Sequence, residues 1–306
     1  MAEPPGPVTP APARPIIFGE VLFDQFPDGS VVLGGAPFNV AWHLQAFGAQ
    51  PLMISRIGND PLGREIRDTM LIWGMDNSGM QLDSLHPTGT VAVSFDSGEP
   101  RFDIVEQRAY DFIDANILPQ IPDNSIIYHG SLALRNETSH MALQKLKQVT
   151  GAPSFVDINL RAPWWTEAIV EQAMQEASWL KLNDHELDMI MPDKTSLESR
   201  IKFLIQKLTI EYLVLTQGNE GAVVVDRSGK TIHAKPEENM NVVDTVGAGD
   251  AFSSVVLLGQ IKNWPLPETL QRAQLFASAI VGIRGAVEKS REFYEPFIRL
   301  WGLAEQ

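Results

Sequence analysis

The most reactive grouping of residues in the chain is the segment Asp244–Phe252, DTVGAGDAF. Gly247 and Gly249 flank Ala248, and an apolar run with helical character follows directly. Small residues at a helix start let the backbone approach a ligand, and the unpaired N–H groups and helix dipole there attract an anion. The segment therefore predicts an anion hole that suits the charge developing on a transferring phosphoryl group.

Asp250 comes next, in the first turn of this predicted helix. A carboxylate there is stabilised by the same N–H groups, so we expect it to stay ionised and to accept a proton from a hydroxyl. A helix cap is the alternative, because a Gly-x-Gly-Asp pattern arises by chance in roughly one chain of this length in ten. The rest of the sequence has to separate these two interpretations.

The composition excludes several other kinds of site. The 306 residues include no cysteine, which rules out disulfides, iron–sulfur clusters, Cys-ligated zinc and thiol catalysis. A formal net charge of −14 argues against a nucleic-acid or anionic-membrane partner. The chain contains no apolar run long enough to span a membrane, and residues 1–15 lack the apolar core of a secretory signal. We expect a cytoplasmic protein with a disordered tail over 1–14 and one domain over 15–306.

Strands and helices alternate around these residues. An apolar run over 14–26 predicts a strand, a helix opens at Pro37, and a further strand and a helix that stops at Gly74 follow. This order is typical of an α/β fold with a mostly parallel sheet. Residues 88–105 instead alternate apolar and polar around an Asp-Ser-Gly turn, which indicates a small antiparallel insertion.

The strand–helix order resumes after the insertion. Thr166 is placed to cap one helix, and Thr195 with Glu198 has the spacing of a capping box for another. Two further helices are predicted over about 268–284 and 293–300.

Four other motifs accompany the segment around Asp250, in a consistent order. DTVGAGDAF resembles the C-terminal signature of the PfkB (ribokinase-like) family of carbohydrate kinases, and residues 34–66 resemble the family's N-terminal signature. DINLRAPWW at 157–165, KLNDHE at 181–186 and LTQGNEGA at 215–222 resemble intermediate motifs. From these five motifs together the chain is identified as a member of the family.

The resemblance implies a ribokinase-like three-layer sandwich, with a mostly parallel central sheet and a small β-sheet lid over the sugar. Here the lid would come from about 21–33 and 88–106. The resemblance also implies an ATP-dependent kinase that uses Mg²⁺ and phosphorylates a primary hydroxyl of a small sugar. We further expect a homodimer through the lid, because a small insertion cannot bury its own strand edge and apolar face, formed by Val91, Val93, Phe95 and Ile104.

The resemblance gives roles to residues on the sugar side. It implies Asp24 as an acidic sugar contact, and Asn39 offers both a donor and an acceptor to hydroxyls. Gly34 and Gly35 leave the floor of the pocket open. Arg161 suits the γ-phosphate or a substrate oxygen, since a guanidinium matches oxyanions. A turn carboxylate at Asp24 and a surface ion pair at Arg161 are the alternatives.

On the nucleotide side, Asn183 and Glu186 form the family's N-x-x-E motif. By resemblance they organise Mg²⁺ and its waters, with Glu186 not a direct ligand; a capping Asn beside an exposed Glu is the alternative. Thr216 and Gly218 lie where the family turns past the triphosphate, unless they form a plain turn.

A third group of residues resembles a cation site. Asp244 and the Val246 carbonyl are similar to part of a monovalent-cation site in relatives, which implies K⁺ as a further cofactor. ATP and a sugar are the expected small-molecule partners, with Mg²⁺ as the metal.

The expected sugar is fructose, because GEVLFD, GGAPFNVA and DINLRAPWW look most like the fructokinase branch. Two departures qualify the likeness. First, Glu106 stands where fructokinases carry a basic residue in the second lid strand, and Arg108 is displaced from that position. Second, the segment GAVEKSREF lacks the Pro that usually follows the Gly-Ala pair.

Ribose, another ketose, a 2-keto-3-deoxy sugar acid and a nucleoside remain open as alternative substrates. The acidic lid disfavours an acid, and a nucleoside would need aromatic stacking, for which Phe23, Phe26 and Phe38 are candidates. A non-catalytic sugar-binding regulator is the alternative of another class. The retained Gly247, Gly249, Asp250, Asn183 and Glu186 disfavour it.

Overall fold

The structure, a computed structural model, describes residues 13–96, 99–192, 196–236 and 242–303, with the backbone alone at 95, 96 and 99–101. The strands are β1 Arg14–Phe18, β2 Leu22–Gln25, β3 Val31–Gly34, β4 Leu52–Gly58, β5 Met80–Asp83, β6 Gly89–Asp96, β7 Glu99–Ile104, β8 Ser125–His129, β9 Ser154–Asp157, β10 Trp179–Asn183, β11 Tyr212–Thr216, β12 Ala222–Asp226 and β13 Thr231–Ala234. The helices are α1 Ala36–Ala46, α2 Pro61–Trp73, α3 Glu137–Thr150, α4 Glu167–Gln175, α5 Asp184–Ile190, α6 Leu197–Lys207, α7 Ala248–Lys262, α8 Leu266–Val281 and α9 Arg291–Leu300.

Nine strands form the central sheet, in the order β13-β12-β11-β10-β9-β8-β1-β4-β5. Neighbours from β11 to β5 are parallel, and β12 and β13 add antiparallel strands at one edge. The chain extends from β1 towards β5 on one side and from β8 towards β13 on the other. This reversal opens a crevice at the carboxyl ends of β1 and β8, where open α/β sheets bind ligands.

Helices cover both faces of this sheet, because side chains of successive strand residues point to opposite faces. Ile17 of β1 belongs to a core cluster with α1, α2, α7, α8 and α9, whereas Ile16 and Phe18 belong to a second cluster with α3, α4 and α6. The three-layer α/β sandwich with a mostly parallel sheet is therefore confirmed. Among the described residues, none of the helices has both the length and the apolar character that crossing a bilayer requires.

A separate four-stranded sheet has the order β3-β2-β6-β7. The prediction of one strand over 14–26 is wrong, because β1 lies in the central sheet and β2 in the small sheet. Gly19 separates them at a φ of 147°, and a Cβ there would lie 2.6 Å from the Pro37 ring. The chain turns at this glycine towards the small sheet.

The apolar face of the small sheet is buried within the chain, which corrects the argument made for a dimer. Val91, Val93 and Ile104 are only 4%, 4% and 6% exposed. Val91 and Ile104 belong to the same core cluster as Tyr110 and the α3 residues, so this face packs on its own domain. The side chain of Phe95, the fourth residue of that prediction, lies outside the described residues.

Several predicted boundaries need correction. Ser196, not Thr195, caps α6, because its Oγ accepts a hydrogen bond from the Ser199 N–H at 3.2 Å. Thr195 itself lies outside the described residues, as do residues 1–12 of the expected tail. Arg14 belongs to β1 and pairs with Asp76 at 2.6 Å, so the tail ends before it. The last two helices each begin two residues before the predicted starts at 268 and 293.

Candidate active site

The N-terminus of α7 is an open anion-binding turn. Gly247 is its N-cap with a φ of 79°, and no described side chain caps the helix. A Cβ at Gly247 would lie 2.4 Å from the Cα of Ala286, so both the backbone conformation and this close approach require glycine. The first N–H groups of a helix have no partner within it. The Ala248 N–H donates to the Thr245 carbonyl at 3.4 Å, so the N–H groups of Gly249 and Asp250 are the ones positioned to meet an anion.

Asp250 is the third residue of α7 and is held by Asn39 of α1. The Asn39 Nδ2 donates to the Asp250 Oδ2 at 2.8 Å. Burial raises the pKa of Asp250 from 3.8 to about 6, against the opposing effects of the Asn39 hydrogen bond and of Lys181. The N–H groups at the helix start therefore do not outweigh the effect of burial on this pKa. A carboxylate with a pKa near 6 is still mostly ionised at neutral pH, and it is a stronger base than an ordinary Asp.

Asp24, Gly34 and Asn39 meet beside Asp250. A side chain at Gly34 would begin 3.8 Å from the Asp24 Oδ2 and 3.9 Å from the Asn39 Oδ1. The Asn39 Oδ1 is buried and has no hydrogen-bond partner among the described residues. The absence of a side chain at Gly34 therefore leaves two acceptor oxygens facing one space, as a ligand that carries hydroxyls requires.

Gly35, the neighbouring glycine, joins β3 to α1 under the same space. Its φ is 107°, and a Cβ would lie 2.8 Å from the Glu20 carbonyl oxygen. Only glycine lets α1 start this close to the end of β1, and that position brings Asn39 to Asp250.

Arg161 is exposed, and its positive charge acts on three carboxyl groups. Burial raises the pKa of Asp24 from 3.8 to about 6, and Arg161 opposes that rise. The same guanidinium also opposes the rise that burial causes in the pKa values of Glu20 and Asp250. Arg161 is therefore the cation that faces this cluster of acids, and it forms none of the ion pairs found within the described ranges.

Asn183 and Glu186 form a reciprocal capping box at the start of α5. The Asn183 Oδ1 accepts from the Glu186 N–H at 2.8 Å, and the Glu186 Oε2 accepts from the Asn183 N–H at 2.8 Å. The Glu186 Oε1 accepts from the Leu160 N–H at 3.0 Å. Glu186 is buried, not exposed as the capping alternative supposed. Burial, with Asp157 second, raises its pKa. The motif thus ties the segment bearing Arg161 to α5.

A buried ion pair that the sequence analysis missed lies below the α7 turn. The Lys181 Nζ donates to both carboxylate oxygens of Asp157, at 2.9 and 2.7 Å, and Ser253 donates to the same carboxylate at 2.7 Å. A side chain at Gly249 would begin 3.7 Å from the Lys181 Nζ. Burial lowers the pKa of Lys181, but nearby carboxylates outweigh this and raise it overall. A buried ion pair, with its ammonium next to Gly249, therefore lies beneath the anion-binding turn.

The remaining nucleotide-side residues lie along the same sheet edge. Thr216 ends β11 directly beside Asn183 of β10, so the two are neighbours in register. Gly218 begins a short 3-10 turn, Gly218–Glu220, and is exposed. The turn also closes on itself, since the Gln217 N–H donates to the Gly221 carbonyl at 2.8 Å.

Asp244 fastens the segment before α7. One carboxylate oxygen accepts from the Val246 N–H and the other from the Gly285 N–H, both at 3.0 Å. Val246 is 47% exposed. Within the residues that the structure describes, no group of three or more His, Asp or Glu side chains is arranged to hold a metal ion.

Glu20 and Arg135 are two further polar groups that the sequence analysis missed. Glu20 follows β1, is 3% exposed, and its Oε2 has no hydrogen-bond partner among the described residues. Arg135 donates through Nε and Nη2 to Asp111 and through Nη2 to the Val105 carbonyl. The only sequence signal for Glu20 was an acidic residue directly after an apolar strand.

Two of the three aromatic residues considered for stacking a nucleobase are buried in the core and are not free to do so. Phe23 and Phe38 are each 1% exposed and belong to the core, and Phe26 is half-buried.

The displaced Arg108 lies just before the 3-10 turn Ala109–Phe112, and its backbone N–H donates to the Asp111 Oδ2 at 3.1 Å.

Comparisons with known proteins agree with this architecture. A profile of the pfkB family carbohydrate kinases matches residues 15–292. A fructokinase of Klebsiella pneumoniae is 33% identical over 258 residues, which are 79% of this chain and 83% of that protein.

Two solved structures of a fructokinase from Vibrio cholerae O395 share the fold. A double mutant with fructose, ADP and potassium ion bound has a TM-score of 0.81 at 24% identity and covers 94% of this chain and 99% of its own. A form with fructose, ADP and calcium ion bound has a TM-score of 0.79 at 25% identity and covers 92% and 98%. On the extent of the family match, the chain belongs to the pfkB family of carbohydrate kinases.

Proposed function

We propose that the chain transfers the γ-phosphoryl group of ATP to a primary hydroxyl of fructose. The observation that carries this proposal is the Asn39–Asp250 hydrogen bond of 2.8 Å at the open N-terminus of α7. It fixes a carboxylate with a pKa of about 6 beside unpaired N–H groups. A proton acceptor and an anion hole at one helix start are the two groups that phosphoryl transfer to an alcohol requires.

Asp250 accepts the proton of the sugar hydroxyl as its oxygen attacks the γ-phosphorus. The N–H groups of Gly249 and Asp250, at the uncapped start of α7, donate to the oxygens on which negative charge develops. The Lys181–Asp157 ion pair supports this turn from below Gly249 and directs its ammonium towards it. Positioning and electrostatic stabilisation together supply most of the acceleration in reactions of this kind.

The sugar is oriented by Asp24, Asn39 and Arg161, with Gly34 and Gly35 as the open floor. The half-buried Asp24 and the unpartnered Asn39 Oδ1 accept from sugar hydroxyls. Arg161 donates to a sugar oxygen or to the γ-phosphate.

Asn183 and Glu186 fit a Mg²⁺ held mainly through water. Each Glu186 oxygen already accepts one backbone N–H, which leaves lone pairs for hydrogen bonds from metal-bound water. Mg²⁺ keeps several waters in such sites and, when bound, neutralises charge on the triphosphate. Thr216 and Gly218 lie on the same edge and line the path of the phosphates.

Asp244 and the Val246 carbonyl fit a K⁺ site beside the anion hole. Their segment leads directly into α7, so an ion there would stabilise the turn that carries Gly247. We expect K⁺ to raise kcat over Na⁺ at equal ionic strength. Equal activity in the two salts would contradict this assignment.

Fructose is the proposed sugar because the Klebsiella relative and the Vibrio structures carry the name fructokinase. The carboxyl groups of Glu20, Asp24 and Asp250 disfavour a 2-keto-3-deoxy sugar acid, and the burial of Phe23 and Phe38 disfavours a nucleoside.

ADP release in a coupled assay, measured with ATP, Mg²⁺ and each candidate acceptor, tests the proposal. The acceptors are fructose, ribose, mannose, a 2-keto-3-deoxy acid and a nucleoside. We expect the highest kcat/KM with fructose. A higher value with another acceptor would move the assignment to that compound, and sugar binding without ADP release would support a regulator instead.

A further inference from the structure

Glu20 lies at the centre of the crevice, where a ligand of this fold is bound. It follows β1, and β1 pairs with β8 at the point where the strand order reverses. Its side chain is 3% exposed, and Oε2 has no hydrogen-bond partner among the described residues. A buried carboxyl oxygen without a partner is costly, so its retention calls for a group that it binds.

Charged groups from three other segments surround Glu20. Burial raises its pKa from 4.5 to about 7, and the charges that modify this value are those of Arg161, Asp250 and Arg135. Glu20 in turn raises the pKa values of Tyr110 and Tyr128. The carboxyl therefore belongs to the same cluster as the proposed base and the proposed sugar residues.

Arg135 is anchored and still leaves one donor free. Its Nε and Nη2 donate to Asp111, the Val105 carbonyl and the Tyr110 hydroxyl at 2.8 to 3.0 Å, and its guanidinium lies 4.7 Å from the ring centre of Trp164. Its Nη1 is buried and has no hydrogen-bond partner among the described residues. The arginine is thus fixed by its other donors, and Nη1 is a buried donor left without a partner among the described residues.

An acceptor and a donor of opposite charge, both buried and both without a partner among the described residues, therefore lie in the same cluster of charged groups. A hydroxyl is the one common sugar group that satisfies both, because it donates to a carboxyl and accepts from a guanidinium. We propose that Glu20 and Arg135 bind a hydroxyl of the sugar other than the one that accepts the phosphoryl group. This assignment rests on the proposed sugar-kinase function and adds a second recognition point to it.

The assignment has a consequence for specificity. Glu20, Asp24 and Asp250 place three carboxyl groups around the sugar, against Arg161 and Arg135. A neutral polyol satisfies these groups, whereas a carboxylate or a phosphate on the sugar would meet repulsion at the crevice floor. Glu20 is therefore a residue that selects uncharged sugars.

Deoxy analogues of fructose, each lacking one hydroxyl other than the acceptor, test the contact with the full-length chain. We expect the wild type to lose about tenfold to a hundredfold in kcat/KM on one analogue, as for a hydrogen bond to a charged group. Glu20→Ala should lose a similar factor in kcat/KM on fructose. Replacing fructose by that same analogue should then cause no further loss in the variant. If every analogue lowers kcat/KM by the same factor in the variant as in the wild type, the assignment is overturned.

Two other variants separate binding from folding. Glu20→Gln keeps the size and an acceptor oxygen, so it should fold like the wild type and lose less than Glu20→Ala on fructose. Asp83→Asn changes another buried carboxyl, at the end of β5, which forms ion pairs with Arg56 and His86. It should lower the melting temperature with an unchanged KM for fructose, and a raised KM there would mean that loss of stability alone mimics the Glu20 effect.

The outcome for the wild type separates the two proposals. If another sugar on the panel is phosphorylated in place of fructose, the same comparison is made with the deoxy analogues of that sugar. The absence of any phosphorylated sugar would overturn the proposed function and this assignment with it. Turnover by the wild type with purely additive losses would overturn the Glu20 contact alone.

Discussion

Replacing Asp250 with asparagine should remove the proton acceptor and little else. The Asp250 Oδ2 accepts from the Asn39 Nδ2 at 2.8 Å, and the amide oxygen of an asparagine can accept the same bond. The substitution also removes a carboxylate whose desolvation raises its pKa to about 6, so the folded chain should not lose stability. The perturbation is therefore confined to the chemistry.

The magnitude follows from the role of the group. General-base catalysis contributes about 10²–10⁴ in rate, so kcat should fall by that factor while the KM values for ATP and sugar change by only a few-fold. A coupled ADP assay under saturating substrates measures kcat. Fluorescence titration with the sugar measures binding separately.

The pH profile gives a second test of the same group. Asp250 with a pKa of about 6 is protonated below that pH, so wild-type kcat should decline on the acid side with a midpoint near 6. The residual activity of Asp250→Asn should not show this decline.

Asp60→Asn is the matched control. Asp60 caps α2 by accepting from the Gly63 N–H at 2.8 Å, and asparagine caps a helix about as well as aspartate. Its kcat should stay near that of the wild type. An Asp250→Asn variant with near-normal kcat would refute the reasoning, because it would reduce Asp250 to a helix residue of the same kind as Asp60.

Three further predictions concern the metal, pH and assembly. Glu186→Gln should raise the Mg²⁺ concentration needed for half-maximal rate, with sugar affinity unchanged in a fluorescence titration; an unchanged Mg²⁺ titration would contradict the assignment. The pKa of Glu20 is about 7 in the folded chain against 4.5 unfolded, so its titration alone should lower the unfolding free energy by about 2–3 kcal/mol as pH rises from 4.5 to above 7. The decline measured by urea unfolding should be smaller by that amount in Glu20→Gln, and the remainder comes from Asp24 and Asp250, whose pKa values are also raised. The chain should form a homodimer through the small sheet, where Val31, Val32 and Phe102 are 44%, 43% and 49% exposed, and Phe102→Glu should weaken it in sedimentation experiments; a monomeric, active wild type would disprove it.

Local sequence predicted those parts of the fold whose causes are local. Gly74 ends α2 in the left-handed conformation, and Thr166 caps α4, as their residue types require. The glycines of DTVGAGDAF were placed correctly at the start of α7, because a helix start that approaches another backbone segment tolerates only small residues.

The remaining features depend on distant parts of the chain. The periodicity of 88–105 predicted an antiparallel pair, but it could not show that Val91 and Ile104 would meet the core beside α3. The turn at Gly19 could not be predicted from the continuous apolar run over 14–26, because the strand residues closest to the turn on both sides are buried and apolar.

The polar groups missed at the site have the same explanation. Lys181 reads as one residue of a buried strand, and its role depends on Asp157 and on Gly249, which approach it only in the folded chain. The partners of Arg135 likewise come from segments 24 to 30 residues away. The raised pKa of Asp250 could not be predicted from the sequence, because it comes from burial, which depends on the folded chain.

The central claim is transfer of a phosphoryl group from ATP to a sugar hydroxyl at Asp250. Mass spectrometry of the products, after incubation of the wild type with ATP, Mg²⁺ and fructose, tests it most directly. The account predicts one fructose monophosphate for each ADP formed, and almost none with Asp250→Asn over the same time. ADP formed with inorganic phosphate and without a phosphorylated sugar would contradict it.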